Sequence, residues 1–228
     1  MTRRDLLASL ATLAALPARA GPPGPVVVEL FTSQGCSSCP PAEALLSELV
    51  RSRADVLALS FHVTYWNDLG WRDPFSLAEA TARQRRYARL LPAEVYTPQM
   101  VIDGTRDVVG SDRAGVLAAI TAAAASRRAA PDLGITRQDG QAVIAVGAGE
   151  GAADLVLVGY DREHRTAVGR GENAGRTLTE SNIVRSFVAV GSWRGAALRL
   201  VVPLPPGDSF AVLTQAPDGR MLAAARGT

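Results

Sequence analysis

The sequence contains no lysine, only two cysteines and only two histidines in 228 residues. Two cysteines cannot form the dense disulfide framework that holds small secreted domains together. Their spacing, Cys36-Ser37-Ser38-Cys39, closes a loop too small to stabilise much, which favours a redox or catalytic role over a structural one. All 24 basic residues are arginine, set against 22 acidic ones, for a net charge of +2. With charge so nearly balanced, and no basic stripe carrying interleaved aromatics, nucleic acid is not an expected partner. After residue 20 no segment reads as transmembrane. The chain is 47% hydrophobic and long enough for one or two cored domains.

The first twenty residues stand apart. Thr2-Arg3-Arg4-Asp5 is short and basic, Leu6 to Leu16 is apolar, and Ala18-Arg19-Ala20 fits a small-x-small cleavage site. About eleven apolar residues are too few to cross a bilayer, which takes roughly 20. The segment reads as a secretory signal peptide, and its arginine pair resembles a twin-arginine export signal. The expected location is periplasmic or secreted, with no stable membrane span after cleavage. Cleavage after Ala20 removes three arginines and one aspartate, so the mature chain is nearly neutral.

The mature chain is organised around Val26 to Val50. An apolar, β-branched run, Val26 to Thr32, reads as a buried central strand. It breaks at Ser33 to Gly35, the two cysteines follow, and a helical pattern begins almost on top of them. Pro40 and Pro41 suit a first helical turn, where N–H groups have no intrahelical partner. At a helix N-terminus a thiolate is favoured, so Cys36 is the expected nucleophile and Cys39 the resolving thiol. Glu29 interrupts the strand. It either faces a polar edge or is a buried carboxylate near the cysteines that shuttles a proton.

Asp55 to His62 returns to a strand and completes a βαβ unit. Thr64 to Phe75, dense in aromatics, Asn, Gly and Asp, reads as a loop roofing the site. Within it Tyr65, Trp66 and Trp71 are candidates for an apolar rim holding a peptide or a small thiol. Ser76 to Leu90 is an expected helix whose Arg85, Arg86 and Arg89 form a solvated outer face. Pro98 opens the next strand, and Asp103-Gly104 makes a hairpin turn. A cis Thr97–Pro98 bond there would place backbone beside the cysteines, where it could pair with an extended substrate. An alanine-rich helix follows from about Asp112 to Arg128.

After Pro131 the period changes to two. Seven strands are expected, with hairpin turns at Asp139-Gly140 and Asp218-Gly219. The fold class is therefore α/β: a signal peptide at 1–20, a thioredoxin-like domain at 21–130, and a small antiparallel β-sandwich domain at 131–228. Arg165 to Asn182 is a Gly-rich excursion between strands and not a P-loop, having no Gly-Lys-Ser/Thr. A metal site is the rival to thiol chemistry. Cys36 and Cys39 have ligand spacing, and His62 ends the neighbouring strand at the same sheet edge, which suits a Cys2His copper or zinc site. No fourth ligand is evident, and the leading reading needs no cofactor. His164 is expected at the surface.

Several stretches resemble the DUF1223 family of secreted, thioredoxin-like bacterial proteins. They are E-L-F-T-S-Q-G-C-S-S-C-P-P-A-E from Glu29, H-V-T-Y-W-N-D-L-G-W-R-D-P-F from His62, R-Q-R-x-Y from Arg83, Y-T-P-Q-M-V-I-D-G from Tyr96 and G-R-G-E-N from Gly169. The resemblance implies a thioredoxin-like domain and a β-rich C-terminal domain, but no defined activity. Set against thioredoxin, Cys36, Cys39 and Pro98 fall on the nucleophile, resolving cysteine and cis-proline, and Glu29 stands where that fold has a buried aspartate. Gly35 replaces the aromatic before the first cysteine, and Ser37-Ser38 replaces Gly-Pro. The expected function is an exported thiol–disulfide oxidoreductase acting on an unknown thiol or disulfide protein or a small thiol. The alternatives are a periplasmic copper-binding or delivery protein and a non-enzymatic cell-envelope interaction protein.

Overall fold

The computed structural model describes residues 24–127 and 130–227, so the expected export signal at 1–20 lies outside the described residues. The core begins with β1 (Val26–Thr32), every residue of which is buried. It runs parallel to β2 (Val56–His62), from Val26 opposite Val56 to Thr32 opposite His62. The connecting helix α1 (Pro40–Ser52) has prolines in its first turn. On the other side of β1 lies an antiparallel hairpin of β3 (Gln99–Ile102) and β4 (Arg106–Val109). Its turn residues Asp103 and Gly104 both have positive φ, the geometry that makes Asp-Gly a hairpin turn. Two further helices are α2 (Ala78–Leu90) and α3 (Arg113–Ser126). The Asp112 side chain caps α3 by accepting from the Gly115 N–H.

Successive side chains of a strand face opposite sides of a sheet, and this sorts the core. Val26, Val28 and Leu30 pack with Leu45, Leu46 and Leu49 of α1 and with Val116 and Ile120 of α3. Val27 and Phe31 face the other way, with Leu57, Leu59, Phe61 and Tyr87 of α2. Glu29 shares that second face.

Only three of the strands after residue 131 make a sheet of their own. β5 (Leu133–Gln138), β6 (Gln141–Val146) and β9 (Leu198–Pro203) form a three-stranded antiparallel sheet. β7 (Ala153–Ala167), β8 (Thr177–Trp193), β10 (Ser209–Gln215) and β11 (Met221–Arg226) instead extend the first sheet to eight strands, ordered β11-β10-β7-β8-β2-β1-β3-β4. The join is a single parallel pairing of Ser60 with Ile183. A sandwich does form, between the small sheet and the outer strands of the large one. Ile135, Ile144, Leu155, Leu157, Trp193, Phe210 and Val212 fill it. The large sheet thus serves both halves of the chain. The order β2-β1-β3-β4, with α1 crossing between parallel strands, is consistent with the expected thioredoxin-like arrangement.

The β7–β8 ribbon is longer than the expected strands. Pairing runs from Ala153 opposite Trp193 to Ala167 opposite Thr177, with register shifts at Leu155/Val156 and Gly159/Tyr160. Such irregularities bend and twist a ribbon. Just beyond the join β8 reaches α1, where Ser181 Oγ meets Ser47 Oγ at 2.9 Å, and Asn182 Nδ2 donates to the Ala58 carbonyl of β2 at 2.8 Å.

Candidate functional site

Cys36 and Cys39 form a disulfide with Cα atoms 5.4 Å apart. Cys39 is the N-cap of α1, and its carbonyl accepts the first helical N–H groups, from Ala42 and Glu43. Cys36 precedes the helix in a turn whose N–H donates to the Ser33 carbonyl. The strand-to-helix corner therefore presents the pair as expected, with the first cysteine just outside the helix rather than in its first turn. Thr97–Pro98 is cis, and the Thr97 Oγ1 lies 3.5 Å from Cys36 Sγ. Trp66 Nε1 donates to that same Oγ1 at 2.9 Å, and Ser38 Oγ stands 3.3 Å from Cys36 Sγ. Cys36, Cys39, Thr97, Pro98 and Trp66 are thus brought together.

The exposed nucleophile implied by the sequence is not what the fold shows. Cys36 is 0% and Cys39 1% exposed, while Ser37 and Ser38 between them are open to solvent. The tip of the β7–β8 ribbon, residues 168–176, packs against this corner; it is the middle of the Gly-rich excursion Arg165 to Asn182, whose ends are strand. Asn173 Nδ2 donates to the carbonyls of Gln34 at 3.0 Å and Cys36 at 2.9 Å. Glu172 accepts from the Ser37 N–H at 3.0 Å. Gly171, at φ +73°, lies so close to Trp71 that a Cβ there would sit 3.1 Å from the Trp71 Cβ.

The other expected site residues are dispersed. Trp71 donates to Gln34 Oε1 at 3.1 Å, one layer behind the cysteines. The Tyr65 hydroxyl donates to Gln84 Oε1 at 3.2 Å and also meets the Thr97 side chain beside Cys36, so Tyr65 stays at the edge of the site. Glu29 is buried on the α2 face, whereas the cysteines adjoin α1 on the opposite face, so the proton-shuttle reading fails on strand parity. Its carboxylate is instead held by a buried ion pair with Arg83, one contact of which is Nη2 to Oε1 at 2.8 Å. The Tyr87 hydroxyl donates to it as well, at 2.7 Å. Gln215 closes the network, donating to the Tyr87 oxygen and accepting from Arg83.

His62 does not turn to the cysteines either, which removes the Cys2His arrangement. Its Nδ1 lies 2.7 Å from Asp73 Oδ2, and its Nε2 lies 3.8 Å from Glu180 Oε1. Glu43, four residues beyond Cys39, completes the group. Ligand atoms of Glu43, His62 and Glu180 all lie within 4.8 Å of one another, and all three residues are buried. Thr32 donates to Glu43, and Gln34 Nε2 donates to Glu180 Oε2 at 2.6 Å. Asp73 also accepts from the Gln34 N–H at 2.8 Å.

Burial, with the Glu180 charge beside it, pushes the Glu43 carboxyl up to about 8. Burial also raises Glu180, against the opposing pull of His62. Burial works against a charge on His62, but Asp73 and Glu180 outweigh it and lift the imidazole to about 10. Asp73 stays below its usual value in spite of burial, because His62 sits against it.

Sequence reasoning missed Glu43, Glu180, Gln34, Glu172 and Asn173. Glu43 carried a signal, since it falls among Ala42, Leu45, Leu46 and Leu49 on the apolar face of a helix. Glu180 carried none, because nothing local shows that a distant strand passes over α1.

The fold and the disulfide define a class: an α/β protein with a CxxC pair at the start of a helix, consistent with thioredoxin-like redox chemistry. Residues 27–215 match the family described as Protein of unknown function (DUF1223), and the chain belongs to it. A similar crystal structure is protein AGR_C_4864 from Agrobacterium tumefaciens. It is 32% identical with a TM-score of 0.76, over 91% of this chain and 95% of that one. HBP35 of Porphyromonas gingivalis shares the fold at 12% identity and a TM-score of 0.58, over 91% of this chain and 76% of that one. Among curated proteins no relative matches. No helix of the described residues is long and apolar enough to cross a membrane.

Proposed function

We propose that the protein is a thiol–disulfide oxidoreductase, exported to the periplasm or secreted along the twin-arginine route, and that its site is Cys36–Cys39. The observation that carries this reading is the disulfide at the α1 N-terminus with the Thr97 hydroxyl and a cis Pro98 beside Cys36. In the oxidising direction a substrate thiolate attacks Cys36 Sγ. The Cys36–Cys39 bond breaks, and Cys39 leaves as a thiolate. A second substrate thiol, losing its proton to solvent, attacks the mixed disulfide. The substrate then carries the new disulfide, and Cys36 and Cys39 are left as a dithiol. Reduction of a substrate disulfide is the reverse. Either direction requires the 168–176 tip to lift, because it covers Cys36 in the oxidised protein. Trp66 then borders the opened site, with Trp71 behind it and Tyr65 outermost as an exposed aromatic.

Cys39→Ala tests this reading. It removes the resolving thiol, so a partner protein or small thiol remains attached to Cys36 and is identified by mass after alkylation. The burial of both sulfurs favours one rival, a non-enzymatic envelope protein with a closed disulfide. That rival forms no adduct in Cys39→Ala.

A further inference from the structure

We propose that Glu43, His62 and Glu180 form a binding site for a divalent first-row cation of the zinc class, independent of the disulfide. Three acidic groups, Glu43, Asp73 and Glu180, converge on one histidine in the interior. Among the described residues no arginine pairs with any of the three, and their one cationic partner is His62, 2.7 Å from Asp73 and 3.8 Å from Glu180. Buried charges are ordinarily paired or bound to metal. The pair Glu29–Arg83, on the other side of the sheet, shows how this chain balances a buried carboxylate when it uses a side chain to do so.

The hydrogen bonding is organised the way a metal site is organised. Each group has one atom held by a neighbour: His62 Nδ1 by Asp73, Glu180 Oε2 by Gln34, and Glu43 Oε1 by Thr32. A carboxylate on one ring nitrogen is the usual support for a histidine that ligates through the other. That other nitrogen, His62 Nε2, is buried and has no hydrogen-bond partner, and neither has the buried Glu180 Oε1 that it faces. Their separation of 3.8 Å is too long for a hydrogen bond. Two ligands ~2.0–2.1 Å from one ion, at a tetrahedral angle, sit ~3.3 Å apart. A contraction of about half an ångström therefore brings the two unpartnered atoms onto a shared cation. One imidazole and two carboxylates form an N/O donor set suited to zinc or its neighbours and lack the thiolates that select copper(I). The three ligands come from α1, β2 and β8, so a bound ion fastens the start of the helix, just beyond Cys39, to the ribbon that covers the disulfide.

The test uses the full chain with its disulfide intact, treated with chelator and then titrated with zinc chloride by calorimetry. Both cysteines are then unavailable as ligands. The expected result is one zinc per chain and a raised melting temperature. Glu180→Gln and Glu43→Gln, each checked for a native circular dichroism spectrum, should each weaken binding by 100-fold or more. Binding that appears only after reduction would assign the ion to the cysteines and overturn the proposal. No binding in either redox state would also overturn it, leaving the cluster a store of protons only. Undiminished binding in both variants would do the same.

Discussion

Two buried polar networks lie on opposite faces of the same central strands, and they are built differently. On the α2 face, Glu29 is matched by the Arg83 guanidinium and the Tyr87 hydroxyl, and Gln215 bonds both of these in turn. On the α1 face, Glu43, His62, Asp73 and Glu180 gather beside the CxxC corner with two polar atoms left unpaired. A buried network with every member satisfied rigidifies a core, whereas one with orphaned atoms calls for a separate explanation. The first reads as architecture and the second as a place for a ligand.

The largest expected difference between the faces comes from removing a charge partner. Arg83→Met strands the Glu29 carboxylate in the interior and should lower stability by about 3–5 kcal/mol in urea unfolding. Glu180→Gln, measured in chelator-treated protein, removes one of three converging carboxyls and leaves His62 still paired with Asp73. Its midpoint should move by no more than about 1 kcal/mol in either direction. Equal losses in the two variants would erase the distinction between the networks.

Next in size is the cover over the disulfide. Asn173→Ala deprives the Gln34 and Cys36 carbonyls of their donor, at a cost of about 1–3 kcal/mol. It should also speed reduction of Cys36–Cys39 by dithiothreitol, followed by alkylation and mass. An unchanged rate would show that the ribbon tip does not limit access. A smaller effect is expected for Trp66→Phe, which removes the hydrogen bond to Thr97 Oγ1 and should cost ~0.5–1.5 kcal/mol.

The smallest effect lies at the surface, where Phe75 separates His164 from His62. Burial works to raise the Asp161 carboxyl, but hydrogen bonds from His164 and Arg185 outweigh it and hold it below the usual aspartate value. A carboxylate depressed in the folded state stabilises the protein above its unfolded pKa. That stabilisation is lost as pH falls through the folded value. Asp161→Asn should therefore lower stability slightly at neutral pH, where the contribution is fully present, and leave it nearly unchanged at the acid end, so the slope below about pH 4 flattens.

Much of the first half was legible because its signals are local. The strand, the C-x-x-C turn, the prolines of α1 and the Asp103-Gly104 hairpin are each set by neighbouring residues. The position of Pro98 before a short strand was enough to expect the cis bond beside the cysteines. What failed depended on the third dimension. Glu29 was placed with the cysteines because it is near them in sequence, yet one step of strand parity puts it on the other face. Arg83 stood out only as the start of the R-Q-R-x-Y motif, while in the fold it is buried beneath Phe187. The second half read correctly as period-two strands. Nothing in that period tells a strand that closes its own sandwich from one that extends a neighbouring sheet. The same gap hid Asn173 and Glu180, whose importance comes from the long β7–β8 ribbon, in which the 17-residue β8 runs past the sheet to reach α1.

Redox activity at Cys36 is tested most directly by the reduction potential of the Cys36–Cys39 pair. The full chain is equilibrated with graded glutathione or dithiothreitol buffers, and the dithiol fraction is read by alkylation and mass. An exchange-active disulfide should give a value in the range of known catalytic dithiols, about −120 to −270 mV. A value below about −300 mV would mark a structural disulfide and contradict the proposed activity.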